Sequence, residues 1–171
     1  MRNPIPMLAA AMLIVGCDSP TPAPTSLKAP TTLSADRGGN GVTHRVSVGS
    51  HDFNPPGDNA NFSLIAIEHG DGTVSGQWSD QFGHGDGGLH IAVDCVLVIG
   101  NRAWVGGEVT QSENPAWLGT RALTTVVDNG TSEQDPPDQI SYSYVGYPST
   151  LRCPPAALPL FPLTGGQVKV D

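Results

Sequence analysis

Hydrophobic and polar residues alternate with a period of two along much of the chain beyond residue 40, which is typical of half-buried β-strands. The strongest pattern covers residues 89–109, where one face carries Leu89, Ile91, Val93 and Cys95. The phase then breaks into a continuous apolar run, residues 95–99. A second strand-like run follows the Gly100-Asn101 pair. Gly and Asn tolerate the positive φ of a two-residue turn, so this stretch predicts a β-hairpin.

The rest of residues 41–171 gives weaker signals of the same kind. Strands are predicted at residues 42–49, 61–69, 73–80, 117–127, 139–147 and 167–170, separated by Gly-, Pro- and Asp-rich turns. Residues 153–163 contain four prolines and are predicted to be irregular. No helical period of useful length occurs. The pattern predicts an all-β domain of about eight antiparallel strands, forming a single sandwich or small barrel.

The N-terminal segment has the features of an export signal. Arg2 precedes a short apolar stretch that ends in Ile14-Val15-Gly16-Cys17. These four residues resemble the lipobox of bacterial lipoproteins. The resemblance implies cleavage after Gly16, so that residues 1–16 are the signal peptide. It also implies diacylglycerol on Cys17 and a further acyl chain such as palmitate on the new amine, which together anchor a protein stably. An ordinary secretory signal or a short buried helix is the alternative reading.

Residues 17–40 follow as a segment dominated by Pro, Thr, Ser and Ala. Such a composition buries too little apolar surface to offset its ordering entropy, so we expect an extended, disordered tether. The expected location is therefore extracytoplasmic and membrane-anchored, with the membrane leaflet left open.

The chain has three cysteines, so at least one of them cannot form a disulfide within the chain and needs another role. With Cys17 lipidated, Cys95 and Cys153 remain as a pair, and a disulfide persists in an oxidising compartment. Two separate buried thiols are the alternative.

The formal charge of −8, with only eight Lys and Arg residues, argues against a nucleic-acid partner, because phosphate contacts need clustered basic side chains. It argues equally against electrostatic docking on anionic lipid. Membrane attachment is therefore assigned to the lipid on Cys17.

An acidic loop at residues 128–138 is a candidate Ca²⁺ site, because several hard oxygen ligands fall within eleven residues. The candidate ligands are Asp128, Asn129, Glu133, Asp135 and Asp138. A plain solvated acidic loop is the alternative, in which case the domain has no cofactor.

Aromatic residues on the predicted strands suggest a ligand platform for a glycan or a protein, made of Trp104, Tyr142 and Tyr144. Packing in the core or at a sheet edge is the alternative. We find no nucleophile elbow and no Ser-His-Asp pattern, which makes an enzyme the less favoured class. Paired strand carboxylates such as Glu68 and Glu108, or a metal held by the repeated HGDG turns, remain open as hydrolase sites.

The mature part also resembles small secreted bacterial β-domains of uncharacterised function. The shared features are HGDGTVSGQ (69–77), DCVLVIGNRAWVGGEVT (94–110), VVDNG with PPDQIS (126–130 and 136–141) and GGQVKV (165–170). The resemblance implies an all-β fold and no particular activity. We therefore expect a lipid-anchored envelope protein acting as a binding or structural β-module. The alternatives are a small envelope hydrolase and a docking subunit of an envelope complex.

Overall fold

Ten strands make up almost all the regular structure in the computed structural model, which describes residues 41–51, 60–83, 87–147 and 152–171. The seven longer strands are β1 (Val42–His51), β2 (Asn61–His69), β3 (Val74–Gln81), β4 (Gly88–Ile99), β5 (Arg102–Ser112), β6 (Arg121–Val127) and β10 (Gly166–Val170). Three more contain two residues each: β7 (Gln139–Ile140), β8 (Tyr144–Val145) and β9 (Phe161–Pro162). The predicted all-β class is confirmed, with ten strands where about eight were expected.

All ten strands belong to one antiparallel sheet with the order β10-β1-β2-β3-β4-β5-β6-β7-β9, and β8 pairs with β6 beside β7. Strands β1 to β6 are neighbours in the order in which they occur along the chain. The sheet curls into a half-barrel. Its curvature covers the core that a second sheet would cover in a sandwich.

The core lies on the concave face of this sheet, because alternate residues of each long strand point inward. Val48, Leu64, Trp78, Ile91 and Val109 are opposite one another on successive strands from β1 to β5, and each is at most 6% exposed. This row therefore runs across the half-barrel as a continuous apolar layer.

The break of phase in the sequence near residue 95 is a β-bulge at Asp94. Val93 pairs with Gly107 and Cys95 with Gly106, which leaves Asp94 without a partner in the ladder. Before the bulge the odd-numbered residues of β4 face the core. After it Val96 and Val98 do so. The prediction that Cys95 shares a face with Leu89 is therefore wrong.

The bulge residue has a side-chain partner of its own. The Asp94 carboxylate accepts two hydrogen bonds from Arg121, each 2.7 Å long. These bonds hold the pKa of Asp94 below its usual value, and raise that of Arg121. The pair connects β4 to β6 across the intervening β5.

The hairpin between β4 and β5 turns at Gly100-Asn101 as predicted, with Gly100 at a φ of +62°. The Asn101 side chain donates to the Asp128 carbonyl at 2.7 Å. This bond attaches the tip of the hairpin to the beginning of the acidic loop.

The proline-rich segment after residue 152 covers part of the convex face of β4 and β5. The Cys95–Cys153 disulfide holds it there, with the two Cα atoms 5.8 Å apart. A Cβ at Gly106 would lie 2.8 Å from the Cys95 sulfur and 2.9 Å from the Arg152 carbonyl, so glycine is needed for this close approach. The predicted disulfide is confirmed.

Two strand predictions near the end of the sheet were too long. The strand expected from residue 117 starts at Arg121, because Pro115–Trp117 forms a 3-10 turn capped by the Asn114 side chain. The strand expected over residues 139–147 is interrupted at Ser141. There the Ser141 hydroxyl accepts the N–H of Thr125, and the Ser141 N–H donates to the Thr125 carbonyl.

Candidate functional site

The predicted lipidation site, Cys17, the signal peptide of residues 1–16 and the tether to residue 40 lie outside the described residues. So does most of the second HGDG turn, residues 84–86. In the first HGDG turn, Asp71 caps the backbone N–H of Thr73, and His69 contacts the Ser75 hydroxyl.

The acidic loop joins two parts of the half-barrel. Asp138 accepts the N–H of Val168 at 2.6 Å, and Asp128 accepts the N–H of Val170 at 3.0 Å. Both N–H groups point away from β1, the sheet neighbour of β10. The two carboxylates therefore accept hydrogen bonds from backbone N–H groups on the free edge of β10 and connect this edge to the β6–β7 loop.

The other candidate calcium ligands are also engaged locally or exposed. Asn129 donates from its backbone to Asp138 and from its side chain to the Pro137 carbonyl. Asp135 accepts the N–H of Ser132, and Glu133 is exposed. Within the described ranges no three His, Cys, Asp or Glu side chains are grouped as a metal ion requires. These contacts favour the alternative of an acidic loop without calcium, which stays a prediction.

The three predicted platform aromatics have different environments. Trp104 is only 6% exposed, and its indole N–H donates to the Ala156 carbonyl at 2.8 Å beneath the proline-rich segment. The prediction that Trp104 belongs to an exposed ligand platform is therefore wrong. Tyr142 is exposed and its ring centroid lies 4.6 Å from that of Phe161, while Tyr144 is half-buried.

A buried carboxyl lies on the concave face at the end of β3. Asp80 is 5% exposed, and the Ser143 hydroxyl, from the segment between β7 and β8, donates to its Oδ2. Burial raises the pKa of Asp80 to about 6, although the hydrogen bond from Ser143 acts in the opposite direction. Asp80 is thus a buried titratable group, and its hydrogen bond with Ser143 links β3 to the β7–β8 segment.

A groove crosses the convex face of the interior strands. Its floor is a row of side chains at opposing positions on β2, β3, β4 and β5, namely Ser63, Ser79, His90 and Gln111. Three strand separations make this row about 15 Å long. Cavities of about 410 and 580 Å³ lie along it and share Ser79, His90 and Gln111 as lining residues.

A β-bulge at Thr110 sets the orientation of this row. His90 pairs with Gln111 and Ile91 with Val109, so Thr110 is the extra residue. The Thr110 hydroxyl donates to the His90 carbonyl at 3.1 Å. The bulge turns Gln111 onto the same face as His90, which is a common use of bulges at binding sites.

The groove continues past the end of β5 to two aromatic rings. A third cavity of about 500 Å³ shares Gly88, Ser112 and Glu113 with the one before it, and is also lined by Phe82 and Trp117. The two rings meet edge to face, with centroids 6.3 Å apart. A Cβ at Gly87 would lie 2.5 Å from the carboxyl carbon of Glu113, so this carboxylate lies directly against the chain before β4. We call the whole feature the convex groove.

The sequence analysis did not predict the convex groove. Its signal in the sequence is the polar half of the alternation, which includes Ser63, Gln77, Ser79 and His90. Finding the row required the register of four strands and the bulge at Thr110.

Comparison with protein-family models, with curated proteins and with solved structures gave no match to this chain. Of the helices in the described part, none is long and apolar enough to cross a membrane.

Proposed function

We propose that this protein is a lipid-anchored, extracytoplasmic envelope protein that acts by binding, with the convex groove as its ligand site. The groove carries the proposal. It joins three cavities over four strands and is lined by polar side chains at one end and aromatic rings at the other. Binding sites combine apolar rings with a few polar groups in this way.

The extracytoplasmic location is supported by the Cys95–Cys153 disulfide, since such bonds persist in oxidising compartments. Lipid on Cys17 would attach the domain to the membrane through the tether of residues 17–40. Substituting Cys17→Ser should move the protein from the membrane to the soluble fraction, or leave it unprocessed. Unchanged membrane fractionation would refute the anchor.

Binding is tested by sedimenting the full chain, in mild detergent, with detergent-extracted envelope fragments of the bacterium that expresses it. We expect the wild type to sediment with the fragments and the double variant Ser79→Arg/Gln111→Arg to remain in solution, because two bulky cations block the row. Lys169→Glu, on the convex side of β10, is the matched control and should sediment like the wild type. Equal sedimentation of all three proteins would contradict a role for the groove.

A small hydrolase is the second candidate, and the buried Asp80 is the observation that favours it. A carboxyl whose pKa is raised to about 6 by burial has the property of a general acid. Its hydrogen-bond partner among the described side chains is the hydroxyl of Ser143. Hydrolysis of envelope material by the wild type, lost in Asp80→Asn, would establish this activity.

A docking subunit has less support. In the described part of the chain, four large apolar side chains are exposed, those of Val42, Ile99, Leu118 and Tyr142. Val42 and Ile99 lie at the end of the strands opposite to Leu118, so these three do not form one patch.

A further inference from the structure

We infer that the ligand of the convex groove is a neutral glycan chain, whose sugar rings lie along the row from Ser63 to Gln111 and reach the aromatic end at Trp117. This inference rests on the proposed binding function and names the chemical class of the ligand.

The polar part of the groove is built from side chains that can hydrogen-bond a ligand. Ser79, His90 and Gln111 supply hydroxyl, imidazole and amide groups, and none of these side chains forms a hydrogen bond to another described residue. Together they offer both donors and acceptors, as the hydroxyl groups of a sugar require. Their spacing, one strand separation of about 4.8 Å, is comparable to the length of one sugar unit in an extended glycan.

The charge of the groove restricts the ligand further. Among the described residues its lining contains no Lys or Arg, and Glu113 places a carboxylate at the aromatic end. An anionic ligand would meet repulsion from Glu113 and from the chain's overall charge of −8. The carboxylate of Glu113 can accept two hydroxyl groups of a neutral sugar as charge-assisted hydrogen bonds.

The aromatic end provides the apolar contact that polar side chains cannot. Trp117 is half-buried, its ring lies edge to face against Phe82, and it lines the third cavity of the groove. The face of a sugar ring that carries C–H groups packs on such a ring. This combination of a fixed aromatic ring with neighbouring amide and carboxylate groups favours a sugar over a wholly apolar ligand.

The position of the groove in the sheet favours a glycan over an extended peptide. Peptides that pair with a sheet do so at an edge strand, where free backbone N–H and C=O groups are available. The row lies on β2 to β5, which are interior strands with a neighbour on each side. Contacts along the groove are therefore made by side chains alone.

Tryptophan fluorescence gives a direct assay for this inference. The chain has three tryptophans, of which Trp78 and Trp104 are 1% and 6% exposed. Trp117 is thus the ring that a ligand in the groove would shield from acrylamide quenching. We would titrate the full chain, in a detergent without a sugar headgroup, with neutral hexasaccharides of glucose, xylose and N-acetylglucosamine.

We expect at least one of these hexasaccharides to bind and protect the Trp117 signal. Gln111→Ala and His90→Ala should each weaken that binding about tenfold, as expected for one lost hydrogen bond, with an unchanged melting temperature because both residues are exposed. Trp117→Phe should abolish the protected signal while binding, followed by calorimetry, persists. Ser47→Ala, on the convex face of β1 beyond β2, is the matched control and should bind like the wild type.

Absence of binding by every hexasaccharide up to about 10 mM would overturn the glycan inference. So would binding that is equal in the wild type and in Gln111→Ala and His90→Ala. If envelope sedimentation still depends on the groove in either case, the binding function stands with a different ligand, and neutral peptides added as competitors would reveal a peptide. If sedimentation is also independent of the groove, both proposals fail.

Discussion

The Asp138 carboxylate joins the β6–β7 loop to the backbone N–H of Val168, at 2.6 Å, across the open side of the half-barrel. Its other oxygen accepts the N–H of Asn129 at 2.7 Å. One side chain thus satisfies two backbone donors from separate segments, and Asp138 is itself only 8% exposed. The curled sheet is joined at this point by a side chain rather than by a ladder of backbone bonds.

Replacing this carboxylate should destabilise the domain more than its small change in volume suggests. In Asp138→Asn the amide nitrogen must face one of the two N–H donors, which leaves that donor unsatisfied. We expect a loss of about 1–3 kcal/mol in the free energy of unfolding, measured by urea denaturation. Asp135→Asn, on the exposed part of the same loop, is the control and should change it by less than about 0.5 kcal/mol. Equal midpoints for the two variants would contradict the structural role of Asp138.

Removing the disulfide should weaken the domain and uncover Trp104. The Cys95–Cys153 bond closes a loop of 58 residues, and the chain-entropy account gives a stabilisation of about 4 kcal/mol. We expect Cys95→Ser/Cys153→Ser to unfold at lower urea concentration, with Trp104 more accessible to acrylamide because the proline-rich segment is released. Reductant should shift the wild type in the same direction and leave the double variant unchanged. A wild-type midpoint unaffected by reductant would contradict the prediction.

Asp80 should make the domain more stable in mild acid. Its pKa is about 6 in the folded state against 3.8 for the exposed group, so the folded protein binds a proton that the unfolded chain has lost at intermediate pH. The free energy of unfolding is highest below about pH 4. It falls as the pH rises through about 6, by at most about 3 kcal/mol. We expect Asp80→Asn to remove this dependence and to be the more stable protein at pH 8.

The measurement for Asp80 is the urea midpoint of the wild type and of Asp80→Asn from pH 4 to pH 8. Glu108→Gln, an exposed residue on β5, is the control and should retain the wild-type slope. If Asp80→Asn and the wild type keep parallel curves, the pH dependence arises elsewhere.

Calcium should leave the melting temperature unchanged, because the oxygens of Asp128 and Asp138 are already occupied by backbone N–H groups of β10. A bound ion at a hundred times its Kd would add about 2.7 kcal/mol, a shift of several degrees for a domain of this size. The test is a melt of the full chain with excess Ca²⁺ and again with chelator. A shift that disappears in Asp135→Ala would establish the ion site after all.

The strands were predictable from sequence where one face is buried. Alternation located β2 at its observed bounds and placed the β4–β5 turn at Gly100-Asn101. The phase break at residue 95 was visible as well, but a bulge and a strand buried on both faces give the same apolar run. Only the pairing of β4 with β5 distinguishes a bulge from a strand that is buried on both faces.

The failures share a cause, which is dependence on residues distant in the chain. Trp104 is buried by a segment about fifty residues later, as its bond to Ala156 shows, and a period of two carries no information about that cover. The acidic loop has the composition of an ion site, yet two of its carboxylates accept hydrogen bonds from the edge of β10. The convex groove likewise exists only because four strands align.

The pairing of β1 with β10 also affects the order in which the domain can assemble. His44 and Asp171 are neighbours at this pairing although they are 127 positions apart. Contacts of such separation slow folding, because the chain must lose loop entropy before it gains them. Synthesis proceeds from the N-terminus, so β1 is made first and its outer edge stays without a partner until β10 follows. During that interval β1 is the strand most open to pairing with another copy of the chain.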